Sequence, residues 1–355
     1  MQNDPRDLDG AKLMNALQLL GRDRVARLKV LELCRDIERI LAYNGSCRDE
    51  ITGPIVDALH NEDDEYQKQL IDGTRVAYLY RTKIARDLLF SSQTDITHFW
   101  EPQTTKLLIH LARLSQGDFV VGGAYFGDQA ILVAKEIQDR GSSVHCFEPN
   151  TTQAAMLKKN ADLNKLDNVS ITMNALWDSP NQSMRLDGFD SFANVISTDS
   201  DDGFLTETID EFTLSRDFKV GVIQLDIEGS ELRALKGGER ILKRDKPYVV
   251  FELHRSYVDW SEGLRNTEIC EFLLSLDYSV YAIRDVNSHH EMANHLVELV
   301  ELDHVYLEGP PHGFNMVAFP KGASINDENF RIMRNVSPKL LPHKDPVLHH
   351  PTEGF

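Results

Sequence analysis

Basic residues are in short supply: 38 lysines and arginines face 56 aspartates and glutamates, for a formal charge of -18. Such a chain repels a phosphate backbone, which excludes nucleic acid as a general partner while leaving a local basic pocket open. Long apolar runs are missing as well. None approaches the roughly 20 residues that cross a bilayer, and the polar start "MQNDPRDLDG" is unlike a signal peptide, so the expected location is the cytoplasm, away from membranes. Cysteine is sparse: Cys34, Cys47, Cys146 and Cys270 form neither a CxxC pair nor a Cys/His cluster. A disulfide scaffold and a cysteine metal site are thereby set aside, and the four read as reduced, small hydrophobes. No internal repeat is present. Hydrophobic residues at 41 % and charged ones at 26 % leave an ordinary globular composition, enough for one large domain with an appendage.

Proline is scarce from residue 11 to about 90, where "AKLMNALQLL", "VARLKVLELCRDIERILAY" and "DEYQKQLIDGTRVAYLYRTKIARDLLF" repeat apolar residues every three or four positions. That spacing predicts a helical region over 1–97, broken into several helices at Gly45, Gly53 and Pro54. From about residue 98 the texture becomes short β-branched runs alternating with amphipathic stretches, the pattern of βαβ units. Strands are expected at "FVVG", "SVHCFE", "VSITMNA", "VGVIQLD", "YVVFEL", "YSVYAI" and "NMVAFP". Several are apolar on both faces, so a mostly parallel sheet covered by helices is expected over 98–322. The proline- and histidine-rich residues 323–355 read as an extended tail.

The run "FVVGGAYFGD" places Gly122, Gly123 and Gly127 between the first of these strands and a helix. Missing side chains there would leave backbone N–H groups open at the carboxyl edge of the sheet, where open α/β folds bind ligands. Glu148 ends the next strand, about 25 residues on, where a carboxylate accepts both hydroxyls of a ribose. Turn and carboxylate together indicate an adenosine-containing cofactor. They do not separate NAD from S-adenosylmethionine.

The surrounding text does. "EPNTTQAAMLKKNADLNKL", "IQLDIEGSELRALKGGERILKRDKPYVVFELH", "LDYSVYAI" and "NMVAFP" resemble, in order and spacing, the FkbM-type family of S-adenosylmethionine-dependent methyltransferases over residues 98–320. The resemblance implies a Rossmann-like, seven-stranded class I methyltransferase sheet whose last strand runs antiparallel between its neighbours. It implies an O-methyltransferase of small molecules, sugars or polyketide-like natural products, with a small-molecule or glycoside acceptor under the N-terminal region. On the same basis Gly123, Ala124, Tyr125, Gly127 and Asp128 lie along the cofactor. Glu148, with Pro149 and Asn150, holds its ribose, Ala175 and Leu176 lie beside the adenine, and Glu101 meets its ammonium group, while Asp226, at the end of its own strand, faces either cofactor or acceptor. Two positions depart from the family pattern: Val121 stands where Asp is usual and Gln224 where Lys is usual.

Transfer to a hydroxyl also needs a proton acceptor. His254, just after the fifth strand, and Asp226, Glu228 and Glu231 of "DIEGSE" are the candidates, with Glu228 and Glu231 equally readable as the start of the next helix. No tight metal-ligand motif occurs, and neighbouring carboxylates stabilise a sulfonium without a metal, so none is expected. The competing class is a binding or scaffold protein that assembles as a homo-oligomer through its N-terminal helices and has lost methyl transfer. Val121 is the residue that keeps it open.

Overall fold

A computed structural model describes residues 5–43, 46–81, 83–90, 96–188, 193–198, 203–286, 292, 295–307, 313–323 and 328–340. The chain begins with α1 (Pro5–Arg22) and α2 (Arg24–Ile40), separated by Asp23, whose side chain accepts the Ala26 N–H at 2.8 Å and caps α2. A short π-turn leads into α3 (Gly53–Ala58). The helical reading fails at the next step: residues 65–79 form a hairpin, β1 (Glu65–Gln69) and β2 (Arg75–Leu79), before α4 (Lys83–Phe90). The cause is local. Asp72-Gly73 supplies a turn with Gly73 at φ +85°, the Asp72 carboxylate accepts the Thr74 N–H at 2.9 Å, and burial alternates along Tyr66, Lys68 and Leu70. Period two thus outweighs the helical spacing that the same residues also satisfy.

The large sheet has the order β15-β13-β12-β14-β11-β10-β3-β4-β5. In chain order, α5 (Pro102–Leu114) precedes β3 (Asp118–Gly122), then α6 (Ala130–Ile137), β4 (Val144–Phe147), α7 (Thr151–Leu163) and β5 (Val169–Thr172). A small sheet follows, made of β6 (Ala175–Leu176), β7 (Ser183–Asp187), β8 (Asn194–Ser197) and β9 (Phe204–Glu207). Next come α8 (Ile209–Arg216), β10 (Val220–Leu225), α9 (Glu231–Lys236), α10 (Glu239–Arg244), β11 (Tyr248–His254), α11 (Glu268–Ser275) and β12 (Tyr278–Arg284). The chain closes with β13 (Val297–Glu301), β14 (Gly313–Pro320) and β15 (Phe330–Met333).

Strands β3, β4, β5, β10 and β11 are parallel, and β14 lies antiparallel between β11 and β12 as the last expected strand should. Alternation along the strands builds two cores. Val222 packs with Val121, Val250 and helices α5 to α7 on one face, while Ile223 and Leu225 join Val120, Phe251 and helices α8 to α11 on the other. Among the described residues the large sheet has nine strands, against the seven expected. Val297, Leu299 and Val300 are buried in β13, and β15 pairs with it in parallel through Phe330, which packs edge-on to His110. The expected tail is therefore corrected over 328–340: this segment completes the sheet, and Leu340 is buried. Residues 341–355 lie outside the described residues.

One side chain ties the N-terminal hairpin to the sheet domain. Asn160 of α7, fully buried, accepts the Ala77 N–H at 2.6 Å and donates to the carbonyls of Ala77 and Phe126 at 2.9 and 2.7 Å. Around it Val76, Tyr78 and Leu88 share a core with Phe126, Leu132 and Met156. Removing the amide strands three buried backbone groups. Since each such group costs about 1–3 kcal/mol, Asn160→Ala should lower the unfolding free energy by roughly 3 kcal/mol or more. Urea titration checks this, and a loss below about 1 kcal/mol would mean that apolar packing and the neighbouring Asn164, which bonds both backbone groups of Arg75 at 2.9 and 2.6 Å, hold the hairpin without Asn160.

Candidate functional site

The glycine turn is shaped by what it must not touch. At Gly123, φ +73°, a Cβ would sit 1.7 Å from the Asp226 carbonyl oxygen, so any side chain there would part the ends of β3 and β10. A Cβ at Gly127 would come within 2.4 Å of Leu157, so that glycine serves the packing of α6 on α7 and does not line the cavity. The turn's amides are not open, contrary to expectation. Gly123 and Ala124 donate to the Phe147 carbonyl at 3.0 and 3.3 Å, Gly127 to the Ala124 carbonyl at 2.9 Å, and Tyr125 to Glu148 Oε2 at 2.8 Å. Directly before α6, the Asp128 carboxylate accepts the Gln129 N–H. A carboxylate therefore occupies the helix start where a pyrophosphate would otherwise bind.

A cavity opens at this edge. Glu101, Gly123, Ala124, Tyr125, Asp128, Glu148, Pro149, Asn150, Asp226 and Glu228 all face it, ten residues brought together from four stretches of sequence. Glu148 Oε1 also accepts the Asn150 N–H at 2.9 Å. Sequence reasoning missed the apolar wall: Ile84 of α4, Trp100, and Leu186, Ala193 and Val195 around the β7–β8 pair. No motif marks these residues, because they reach the cavity only through the docking of α4 and of the small sheet. Ala175 and Leu176 are buried in β6 behind that wall and do not line the cavity. His254 does not either. Its Nδ1 accepts the Ser256 N–H at 3.1 Å, and its ring lies 5.2 Å from that of Tyr257.

The described lining holds five carboxylates and no Lys, Arg or His. Asp226 has exposed surface, but that surface faces the cavity deep within the fold, and its pKa rises well above the usual range through burial and the nearby Glu252 and Glu101. Burial, and then Glu228 and Glu101, push Glu252 up to about 8. Burial raises Glu228 to about 7 against a hydrogen bond from Tyr257, and burial with Glu101 raises Asp128 to about 7. Glu101 is itself raised by burial, although Lys339 lies 4.0 Å away and Asn315 donates to it at 2.6 Å. Glu231 is committed elsewhere, accepting the N–H groups of Ile227 and Gly229 at 2.9 and 3.3 Å. Three non-glycine residues with positive φ, Glu101, Tyr125 and Glu228, face this one cavity, so backbone strain is concentrated where the carboxylates converge. Oxygens of Asp226, Glu228 and Glu252 lie within 4.8 Å of one another, a spacing that also fits a calcium-sized cation with ligands at about 2.3–2.6 Å.

The two departures from the family pattern prove to be neighbours. Val121 of β3 and Gln224 of β10 are register partners, and Gln224 donates to Gln129 instead of pairing with a carboxylate. An Asp and a Lys at these positions would balance one another. Replacing both leaves the net charge of the cavity floor unchanged and puts the buried Gln224 Oε1, with no hydrogen-bond partner among the described residues, in the wall.

Residues 122–280 match the family described as "Methyltransferase FkbM domain". No match was found among curated proteins. Among solved structures, the methyltransferase FkbM of Methylobacillus flagellatus is 18% identical over 57% of this chain, which spans 43% of that one, with a TM-score of 0.34. A putative O-methyltransferase from Klebsiella pneumoniae is 11% identical over 62% of this chain and 80% of its own, with a TM-score of 0.35. The Pyrococcus abyssi tRNA (uracil-54, C5)-methyltransferase, solved with S-adenosyl-L-homocysteine, is 15% identical over 73% and 44%, with a TM-score of 0.33. These three likenesses say nothing of what this chain modifies.

The crowded carboxyl groups keep their protons to higher pH in the folded chain than in the unfolded one, where Asp and Glu ionise near pH 4. Their contribution to stability is whole below about pH 4 and is lost as pH rises through about 7 to 8. Glu252→Gln, which deletes one member, should therefore raise Tm more at about pH 8 than at about pH 5.5. Thermal unfolding of both proteins across that range tests this, and an equal shift at the two ends would show that Glu252 ionises without strain.

Proposed function

We propose that the chain is an S-adenosylmethionine-dependent O-methyltransferase whose cofactor occupies the carboxylate-lined cavity, a reading supported by the match of residues 122–280 to the methyltransferase FkbM domain. The observation that carries this reading is the charge of the lining: five carboxylates and no base suit a ligand with a sulfonium and an ammonium. A dinucleotide fits poorly. Its pyrophosphate would meet the Asp128 carboxylate at the start of α6 and turn amides that already have acceptors. The residues present fit S-adenosylmethionine: the Glu148 carboxylate faces the cavity where it would accept from the ribose hydroxyls, and Glu101, Asp128 and Asp226 line the part that would hold the cationic end. The scaffold reading rested on Val121, and the matched exchange at Gln224 supports a preserved charge balance instead.

When bound, the cofactor supplies an electrophilic methyl group. This chain supplies position and proton transfer. Glu228, held at positive φ in the cavity wall with a pKa of about 7, is ionised in about half of the molecules near neutrality and accepts the proton of the acceptor hydroxyl. Asp226, beside it, keeps negative potential where positive charge is held. His254 reaches Glu228 only through Tyr257 and acts as a positioning residue. The acceptor class proposed is a hydroxyl of a small molecule, sugar or polyketide-like compound, admitted beneath α4 and Trp100.

Titration calorimetry should show binding of S-adenosylhomocysteine and none of NAD, with Glu148→Ala weakening the former at least tenfold, because each charge-assisted bond contributes roughly 1.5–3 kcal/mol. Heat with NAD alone would remove the reading, and unchanged affinity in the variant would remove Glu148 as the ribose ligand.

On an acceptor found by screening alcohols with labelled donor, Glu228→Gln should lower kcat by about 10² and abolish the acid limb of the pH–rate profile near pH 7, while His254→Ala costs less than about tenfold. The reverse order of effects would assign the proton to the imidazole.

A further inference from the structure

The N-terminal unit holds a second cleft whose charge opposes that of the rest of the chain, and we propose that it binds the phosphoryl group of a small ligand. Arg24, Arg27 and Arg35 project into it from one face of α2, and Lys68 and Tyr66 from β1. Against these four cations the described lining contains one carboxylate, Glu65, which is already engaged by Lys159 at 2.5 Å. Arg27 is shared with Asp64 at 3.3 Å. Arg35 donates to a neutral acceptor, the Leu89 carbonyl, and Lys68, only 8% exposed, donates to the Leu88 carbonyl at 3.2 Å. The Tyr66 hydroxyl, its pKa raised by burial and by the nearby Asp64, lies in the same wall.

A structural role exists for part of this set, since Arg35 and Lys68 cap the last carbonyls of α4. It does not account for Arg24 or for the remaining guanidinium donors, of which each arginine has five in a planar fork. Forked donors from several arginines match a tetrahedral dianion with three or four oxygens better than one carboxylate. Burial and the nearby Arg35 pull the Lys68 amine down to about 8, a sign that the cleft is short of negative charge. The cleft also lies close to the methyl-transfer cavity. Ile84 of α4 lines the cavity while Leu88 and Leu89 line the cleft, about 6 to 8 Å further along the same helix.

The test is calorimetric titration of the full chain with inorganic phosphate and with pyrophosphate, ionic strength being matched with chloride. Binding with Kd on the order of 1 mM or tighter is expected, weakened at least tenfold by Arg24→Gln combined with Arg35→Gln. Arg24 is exposed at the start of α2, so Arg24→Gln alone leaves the fold intact and should still weaken binding several-fold. Unchanged affinity for S-adenosylhomocysteine certifies each variant's fold and keeps this outcome separate from the fate of the methyl-transfer reading. No heat with either anion up to about 10 mM, or equal affinity in the variants, would overturn the proposal and leave the cations as caps of α4.

Discussion

The site depends on one close approach, that of Gly123 to the Asp226 carbonyl. Because no side chain intervenes, β3 and β10 stay in register to their last residues, and the chain leaves both strands at the same level. Two consequences follow from that geometry. The turn after β3 folds back so that its amides meet Phe147 and Glu148, which locks β4 to β3 beyond the end of the ladder. The turn after β10 is forced through Glu228 and Gly229 at positive φ, with Glu231 holding it from below, and delivers two carboxylates to the cavity.

What results is an unusual concentration of like charge. In the absence of a cationic ligand the carboxylates facing the cavity compete for too few countercharges, since Lys339 is 4.0 Å from Glu101 and the lining has no base of its own. Desolvation and mutual repulsion keep several of them protonated near neutrality. A ligand carrying positive charge would relieve both, so the like charge of the lining favours a cation. A few residues away, along α4, the sign reverses. A chain of charge -18 gathers four basic side chains around one cleft, and such segregation is hard to ascribe to solubility alone.

Much of the sheet was legible in the amino-acid order because its strands are short, β-branched and buried on both faces, so that pattern and outcome share one cause. The antiparallel insertion of β14 was legible only through resemblance. The hairpin at 65–79 was not, since Tyr66, Lys68, Leu70, Val76 and Tyr78 satisfy a helical spacing almost as well as an alternating one, and the Asp72-Gly73 turn decided between them. β15 escaped notice because it is four residues long and pairs with β13 across the intervening β14 in the chain, and β13 because it is itself only five residues long.

For the candidate site the division is similar. Glu148, the glycine turn and the Asp226–Glu228 segment stand at strand ends, and their place at one edge follows from the parallel order of the sheet, which the sequence by itself determined. Their chemical states do not follow. Whether an amide is open or satisfied, whether a carboxyl ionises near pH 4 or near 7, and whether His254 faces the cavity or Tyr257 depend on neighbours supplied by other elements. Val121 and Gln224 are 103 positions apart in the chain and adjacent in the sheet. Read singly they were two lost charges, and only the tertiary structure made them one neutral exchange, because electrostatic balance is a property of distance in space.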